Sequence, residues 1–379
     1  EIENGKKYPK PDKIAILSDK LDISYDQMVS LKLDKNLAPI GELLQSKLLK
    51  EIPLELFGIK ESNLIDIVAN APVKVNAFIS TIIEIAQHYN FSRENFFLAS
   101  VRSFQEANNN YFDDLEQQAL NFSKAYQVDL TKSLSSSDLE DILIEEYGYI
   151  INNRELSKYE ALRNLRSVFV PKTKTLLLAN GIDEGQRTFI YAKEIAYNYL
   201  EITERLYTFS WIKFDNFDQV LNNFYASYFA GALLIPRKKL VSELNLLLIK
   251  TDPKPQEMIE LMGKFNVSPE SFYQRLTNIL PKDFQLKNIF FLRLSHKRGA
   301  DTYQIKKELH ITNQQEPHAN EMNEHYCRRW ISVKTIEQAI VQNNSHFFDA
   351  QISRYENSGN EFFVFSSATQ DPFKKDCLR

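Results

Sequence analysis

Only two cysteines, Cys327 and Cys377, stand in 379 residues. That is too few for a disulfide framework and points to a reducing compartment, the cytoplasm. No apolar run approaches the roughly 18 residues that span a bilayer, so no membrane partner is expected. No secretory leader opens the chain, in keeping with that expectation. Charge of one sign is also missing. A net charge of -4 excludes a protein that is basic all over, so any nucleic-acid surface must be local. Glycine is scarce, with 10 residues against 26 Phe and 18 Tyr, which predicts a helix-rich chain with bulky packing. The six histidines contain no H-x-x-x-H pair.

What is present begins with QRTFIYAKEIAYNYL, residues 186–200. A zinc-peptidase helix carries H-E-x-x-H, two His on one face holding the metal and a Glu acting as general base. Here Glu194 occupies the Glu position, while Lys193 and Tyr197 stand where the histidines would be. A lysine is normally a cation at neutral pH and repels Zn²⁺. No catalytic residue and no metal ligand is therefore assigned. Lys193 and Tyr197, at i and i+4, face each other on a helix; Lys193 and Glu194 do not. The polar stretch NQQEPHANEMNEHYC, with His318, His325 and Cys327, reads as an exposed loop rather than a metal site.

The rest of the chain is mainly α with a smaller α+β part. Residues 1–34 read as the end of a small helical domain: a turn at Asn4-Gly5, helical spacing of Ile14, Leu17 and Leu21, and a Ser24/Gln27 capping box. Residues 35–158 are helical in pattern, with starts at Ser92 and at Ser137 with Asp141, and a helix junction at 108–112. LRSVFVPKTKTLLLANGI predicts one or two short strands and an Asn180-Gly181 turn. NNFYASYFAGALLIP is an apolar helix stopped near Pro236, and Ser268-Pro269 opens a further helix. FQLKNIFFLRLSHKRGA and EFFVFSSATQ are strand-like, with HYCRRWISVKTIEQAIV between them.

Several segments, taken in order, resemble one family. The opening resembles the end of an XRE-type helix-turn-helix DNA-binding domain. RTFIYAKEIA is similar to the degenerate helix of regulators with an ImmA/IrrE-like, peptidase-related domain. ASYFAGALLIP is similar to that family's A-N-x-F-A-x-x-L-L-M-P helix, FNVSPESFYQRL to its F-G-V-S-x-E-x-x-x-x-R-L segment, and YCRRWISVKTIEQAI to its C-P-x-W element. The chain therefore resembles XRE-family short-chain fatty acyl transcriptional regulators. The resemblance implies a helix-turn-helix remnant at 1–34, a helical connector at 35–158, a degenerate peptidase domain at 159–280 and an α+β ligand-sensing region at 281–379. It implies duplex DNA as a partner, contacted here by Lys6 and Lys7, and a homodimer, because such heads read paired half-sites. It also implies an acyl-CoA effector. That ligand needs cations for phosphates and an apolar tunnel, expected from Tyr225, Tyr228, Phe229, Arg237, Lys238, Arg275, Arg293, Lys297 and Arg298. Some members hold an iron–sulfur cluster on a Cys-rich element. Cys377 stands alone in KKDCLR, so no cluster is expected.

Overall fold

The computed structural model describes residues 93–162, 165–207, 214–248, 255–311, 330–343, 346–354, 361–371 and 376–379, with Ile16 and Lys20 besides. Lys6, Lys7, His318, His325 and Cys327 lie outside them. The chain divides into two units, Glu1–Phe97 and Leu98–Arg379. Nine α-helices and eight strands occur among the described residues, a mainly helical chain with a smaller β part.

Helix α1 (Arg93–Ala107) ends at the junction expected from the asparagines. Asn109 and Asn110 take left-handed φ values of 50° and 51°, which Asn tolerates because its short side chain bonds locally. Helix α2 (Asp113–Ala125) follows, with three acids in its first turn favoured by the helix dipole. Helix α3 (Ser136–Glu145) is capped by Ser135, two residues before the expected Ser137. A capping box needs an acid three residues after the serine, and Ser135 with Asp138 meets that condition. Ser135→Ala should cost about 1 kcal/mol, read as a lower urea midpoint at unchanged slope.

A small mixed sheet comes next. Strand β3 (Thr175–Leu178) lies between β1 (Ile150–Asn152), parallel to it, and β2 (Ser167–Val170), antiparallel. The central position buries Leu176 and Leu178 completely. Gly181 makes the expected turn at φ 83°. Helix α4 (Glu184–Tyr199) is capped by Asp183, and ten of its 16 residues are buried. It packs on α5 (Phe217–Leu234), which is capped by Asn216. Helices α6 (Arg237–Leu248), α7 (Pro255–Gly263) and α8 (Pro269–Asp283) complete the layer, and α8 opens on Ser268-Pro269 as expected.

The last part is antiparallel. Strands β4 (Ile289–Lys297) and β5 (Tyr303–Ile311) form a hairpin, and β6 (His346–Arg354) pairs with β7 (Glu361–Thr369). Between them helix α9 (Ile331–Val341) packs on β6 and β7. Strand β8 (Cys377–Leu378) pairs with β4, and Leu378 also bridges to Gln370 at the end of β7. It therefore ties the two hairpins into one surface.

A single core gathers side chains from α2 through α8 and β3, including Phe122, Leu139, Tyr191, Phe229 and Phe272. Helices α2 and α3, in the expected connector at 35–158, thus bury their apolar faces against the expected peptidase-like part. A smaller core of Leu294, Val333, Ile336, Ala339, Ala368 and Leu378 lies under α9.

Candidate functional site

Helix α4 runs through the interior, so its polar residues must find partners there. The Glu194 carboxylate takes Arg205 Nη2 at 2.6 Å and the Tyr149 hydroxyl at 3.0 Å on the same Oε2. Asn198 Nδ2 donates in turn to the Tyr149 hydroxyl at 2.9 Å. The Arg205 guanidinium lies over the Tyr197 ring, 3.9 Å from its centroid, and over Phe169 at 4.7 Å. Both members of the Glu194–Arg205 pair are less than a tenth exposed. On the α5 side, Asn223 Oδ1 accepts from Lys193 Nζ at 2.5 Å and from the Tyr197 hydroxyl at 3.3 Å. Lys193 and Tyr197 therefore meet on one amide oxygen, while Glu194 turns to Arg205.

Burial lowers the Lys193 pKa to about 7, with Arg205 and Lys307 adding to the effect and Glu194 opposing it. Burial raises the Tyr149 and Tyr197 hydroxyls above their ordinary range. Burial pulls Arg205 down, but Glu194 outweighs it and the guanidinium stays charged. These residues do not fit a zinc ion. The face that would hold it carries an amine, a phenol and an amide, and the one carboxylate is engaged by an arginine. Among the described residues no three His, Cys, Asp or Glu side chains cluster as a metal set.

The expected ligand residues are scattered. Arg275 is 1% exposed and grips both oxygens of Glu116 on α2, through Nη1 at 2.5 Å and Nη2 at 2.8 Å, while its Nε caps the Ile235 carbonyl at 3.0 Å. The Tyr228 hydroxyl donates to the same Glu116 at 2.9 Å and accepts from the Phe112 amide. Phe229 is wholly buried between Phe122 and Tyr199. These three are interior side chains, because α5 and α8 close on α2 and exclude any ligand surface there. Arg237 forms a forked pair with Asp283, Lys238 is exposed, and Tyr225 is half-buried beside Phe224. Lys297 and Arg298 are exposed at the β4–β5 turn, with Lys297 3.6 Å from Asp376. Arg293 alone of the nine lines the principal cavity.

That cavity, of about 760 Å³, is not beside α4 and α5. It lies between α6, α8, β4 and β7, walled by Leu244, Leu280, Phe290, Phe291, Phe363 and Phe365. At one end Glu270, in the first turn of α8, pairs with Lys307 at 2.6 Å and Arg293 Nη1 at 3.3 Å. Burial alone would raise the Glu270 carboxyl, but Lys307, Arg293 and Arg379 hold it far below its ordinary value. Arg166 and Arg379 stand close enough to act on the same cluster, and burial pulls both guanidiniums down, Arg166 to about 10. A second hollow of about 720 Å³ meets the first at Ser268, Pro269, Thr369 and Arg379, and carries Asp183, His346 and Asp371. Glu270, Arg166, Lys307 and Arg379 carry no local signal in the sequence. A Glu in a first helical turn and a Lys on a strand are ordinary, and only long-range packing brings them together.

Comparison with known proteins agrees with part of this. Residues 147–277, just over a third of the chain, match the Peptidase_M78 family, described as the IrrE N-terminal-like domain. Curated proteins give no match. A solved structure titled "Mycobacterium tuberculosis transcriptional regulator" is similar at 18% identity and a TM-score of 0.49, covering 71% of this chain and 73% of that one. Among the described residues no helix is long and apolar enough to cross a membrane.

Proposed function

We propose that the chain is a cytoplasmic, DNA-binding transcriptional regulator that senses an acyl-CoA-type effector through a peptidase-like domain without catalytic activity. One observation carries the reading. In the stretch similar to the IrrE N-terminal-like domain, Lys193 and Tyr197 take the ligand positions, and Glu194 is locked by Arg205 and Tyr149. A general base must have access to a water and a metal, and this carboxylate has both its strong partners inside the core. The ordered helix-turn-helix, helix and strand segments of the sequence support a DNA-binding head on a sensing body. The effector would act by binding one arrangement of a homodimer better than the other. Zinc-dependent cleavage of a repressor is the second reading, favoured by the family match itself; a helical scaffold without a small ligand is the third.

The purified protein separates them. The regulator reading expects substoichiometric zinc, no proteolysis, and retention of a discrete set of genomic fragments whose affinity changes with an acyl-CoA. In a melting series with acetyl-, propionyl- and longer acyl-CoAs, an effector at 100 times its Kd adds about 2.7 kcal/mol. Stoichiometric zinc with cleavage lost in Glu194→Gln overturns the reading in favour of a peptidase. No retained DNA and no melting response overturn it in favour of a scaffold.

A further inference from the structure

We infer that the cavity between α8, β4 and β7 binds a free fatty acid anion, its apolar chain along the Phe-rich wall and its carboxylate against Arg293 and Arg379. The inference goes beyond the acyl-CoA reading and does not rest on it, because the cavity lies apart from α4 and α5 and its cations call for a free carboxylate head.

Three observations converge. The cavity, about 760 Å³, falls within the roughly 300–1,000 Å³ of ordinary small-molecule sites, and more than half of its lining residues are apolar, leucine and phenylalanine foremost. Glu270, Arg293 and Arg379 gather at one end of it, while Lys287 and Glu361 also line the wall. At that end Arg293, Arg379, Lys307 and Arg166 surround Glu270, with Asp371 and Asp183 on the side of the second hollow. The guanidiniums are also under-neutralised. Arg293 spends Nη1 on Glu270, and its Nε has no hydrogen-bond partner among the described residues. Arg379 donates through Nε to Thr369 Oγ1 at 3.4 Å, a long contact, and its Nη1 likewise has no partner among those residues. Burial pulls Arg379, Arg166 and Lys307 below their ordinary values.

These guanidiniums are only partly exposed and short of acceptors, and a carboxylate offers two oxygens in the geometry that a guanidinium fork accepts. A coenzyme A thioester fits less well. Its acyl end is uncharged and its phosphates sit far from the chain, whereas here the cations adjoin the apolar wall. An aliphatic alcohol lacks the charge altogether.

The test is titration calorimetry on the full chain with decanoate, decanol, decanoyl-CoA and coenzyme A below their aggregation limits. Decanoate should bind saturably, one per chain, with decanol at least tenfold weaker. Arg293→Gln should weaken decanoate about tenfold while leaving decanol unchanged, the loss expected for one charged hydrogen bond. Lys297→Gln, at the exposed turn, should change nothing. Ser366→Phe, which fills the cavity from β7, should abolish binding, with melting curves showing that all three variants fold. Decanol equal to decanoate would overturn the inference. So would decanoyl-CoA binding tightly and indifferently to Arg293→Gln. DNA affinity that answers to acyl-CoA without decanoate binding keeps the regulator reading and removes this site. Decanoate binding without any DNA response keeps this site and removes the regulator reading.

Discussion

Arg275→Met should lower the unfolding free energy by about 3–5 kcal/mol, the cost of leaving a buried charge without its partner. Arg275 has three donors engaged: two on Glu116 and one on the Ile235 carbonyl. Removing it strands Glu116 under Tyr228 in the seam between α2 and α8, where side-chain exposures are 8% and 1%. Burial lowers the guanidinium and Glu116 more than restores it, so Arg275 enters the folded state charged. The double variant Arg275→Met, Glu116→Leu should recover most of the loss, since a well-packed apolar pair often matches a buried ion pair. Urea unfolding of both variants checks this. A single-variant loss under 1 kcal/mol would mean that Glu116 reaches water by local opening.

Lys193→Met should flatten the pH dependence of stability between about pH 7 and the ordinary lysine range. The native amine titrates near 7, because burial disfavours the ammonium, while the unfolded chain titrates at its ordinary value. Between those two values the unfolded state holds the extra proton, so native stability rises with pH across the window. Below pH 7 both states are protonated and the penalty is constant and full. A displacement of three units or more corresponds to roughly 4 kcal/mol across the window. Tyr149 and Tyr197 act oppositely at higher pH. Their raised native values keep them protonated after the unfolded chain has begun to ionise, so their contribution declines above about pH 10. Melting temperatures taken every half unit from pH 6 to 9.5 should climb in the natural chain and stay level in Lys193→Met. A parallel climb in both would reassign the titration to another group.

Some of this was open to a reader of the chain alone. Ser268-Pro269 opening α8, Gly181 in its turn, the Asn-rich junction after α1, and the strands FQLKNIFFLRLSHK and EFFVFSSAT are local features. Backbone dihedral preferences and alternation suffice to place them. Strands β5 and β6 were harder. YQIKKELHI and HFFDAQISR mix charge with apolar residues, as edge strands facing water do.

The limit of locality explains the rest. Lys193 and Tyr197 in place of histidines are visible in a window of five residues, so the mismatch of this helix with an H-E-x-x-H motif is legible in the sequence alone. The choice of Arg205 as the partner of Glu194, and of Glu116 as the partner of Arg275, required side chains 11 and 159 residues apart to meet in a core. The nine expected ligand residues were chosen by type, as cations and aromatics, and type does not distinguish an arginine sealed inside from one beside a cavity. Burial does, and burial is decided by how α2, α5 and α8 close on one another. The sequence determined that the α4 helix carries Lys193 and Tyr197, not histidines, on either side of its motif position. Only the packing of α8 against β4 and β7 determined where Arg293, Lys307, Arg379 and Glu270 converge, because a charge cluster drawn from distant segments exists only after the chain has folded.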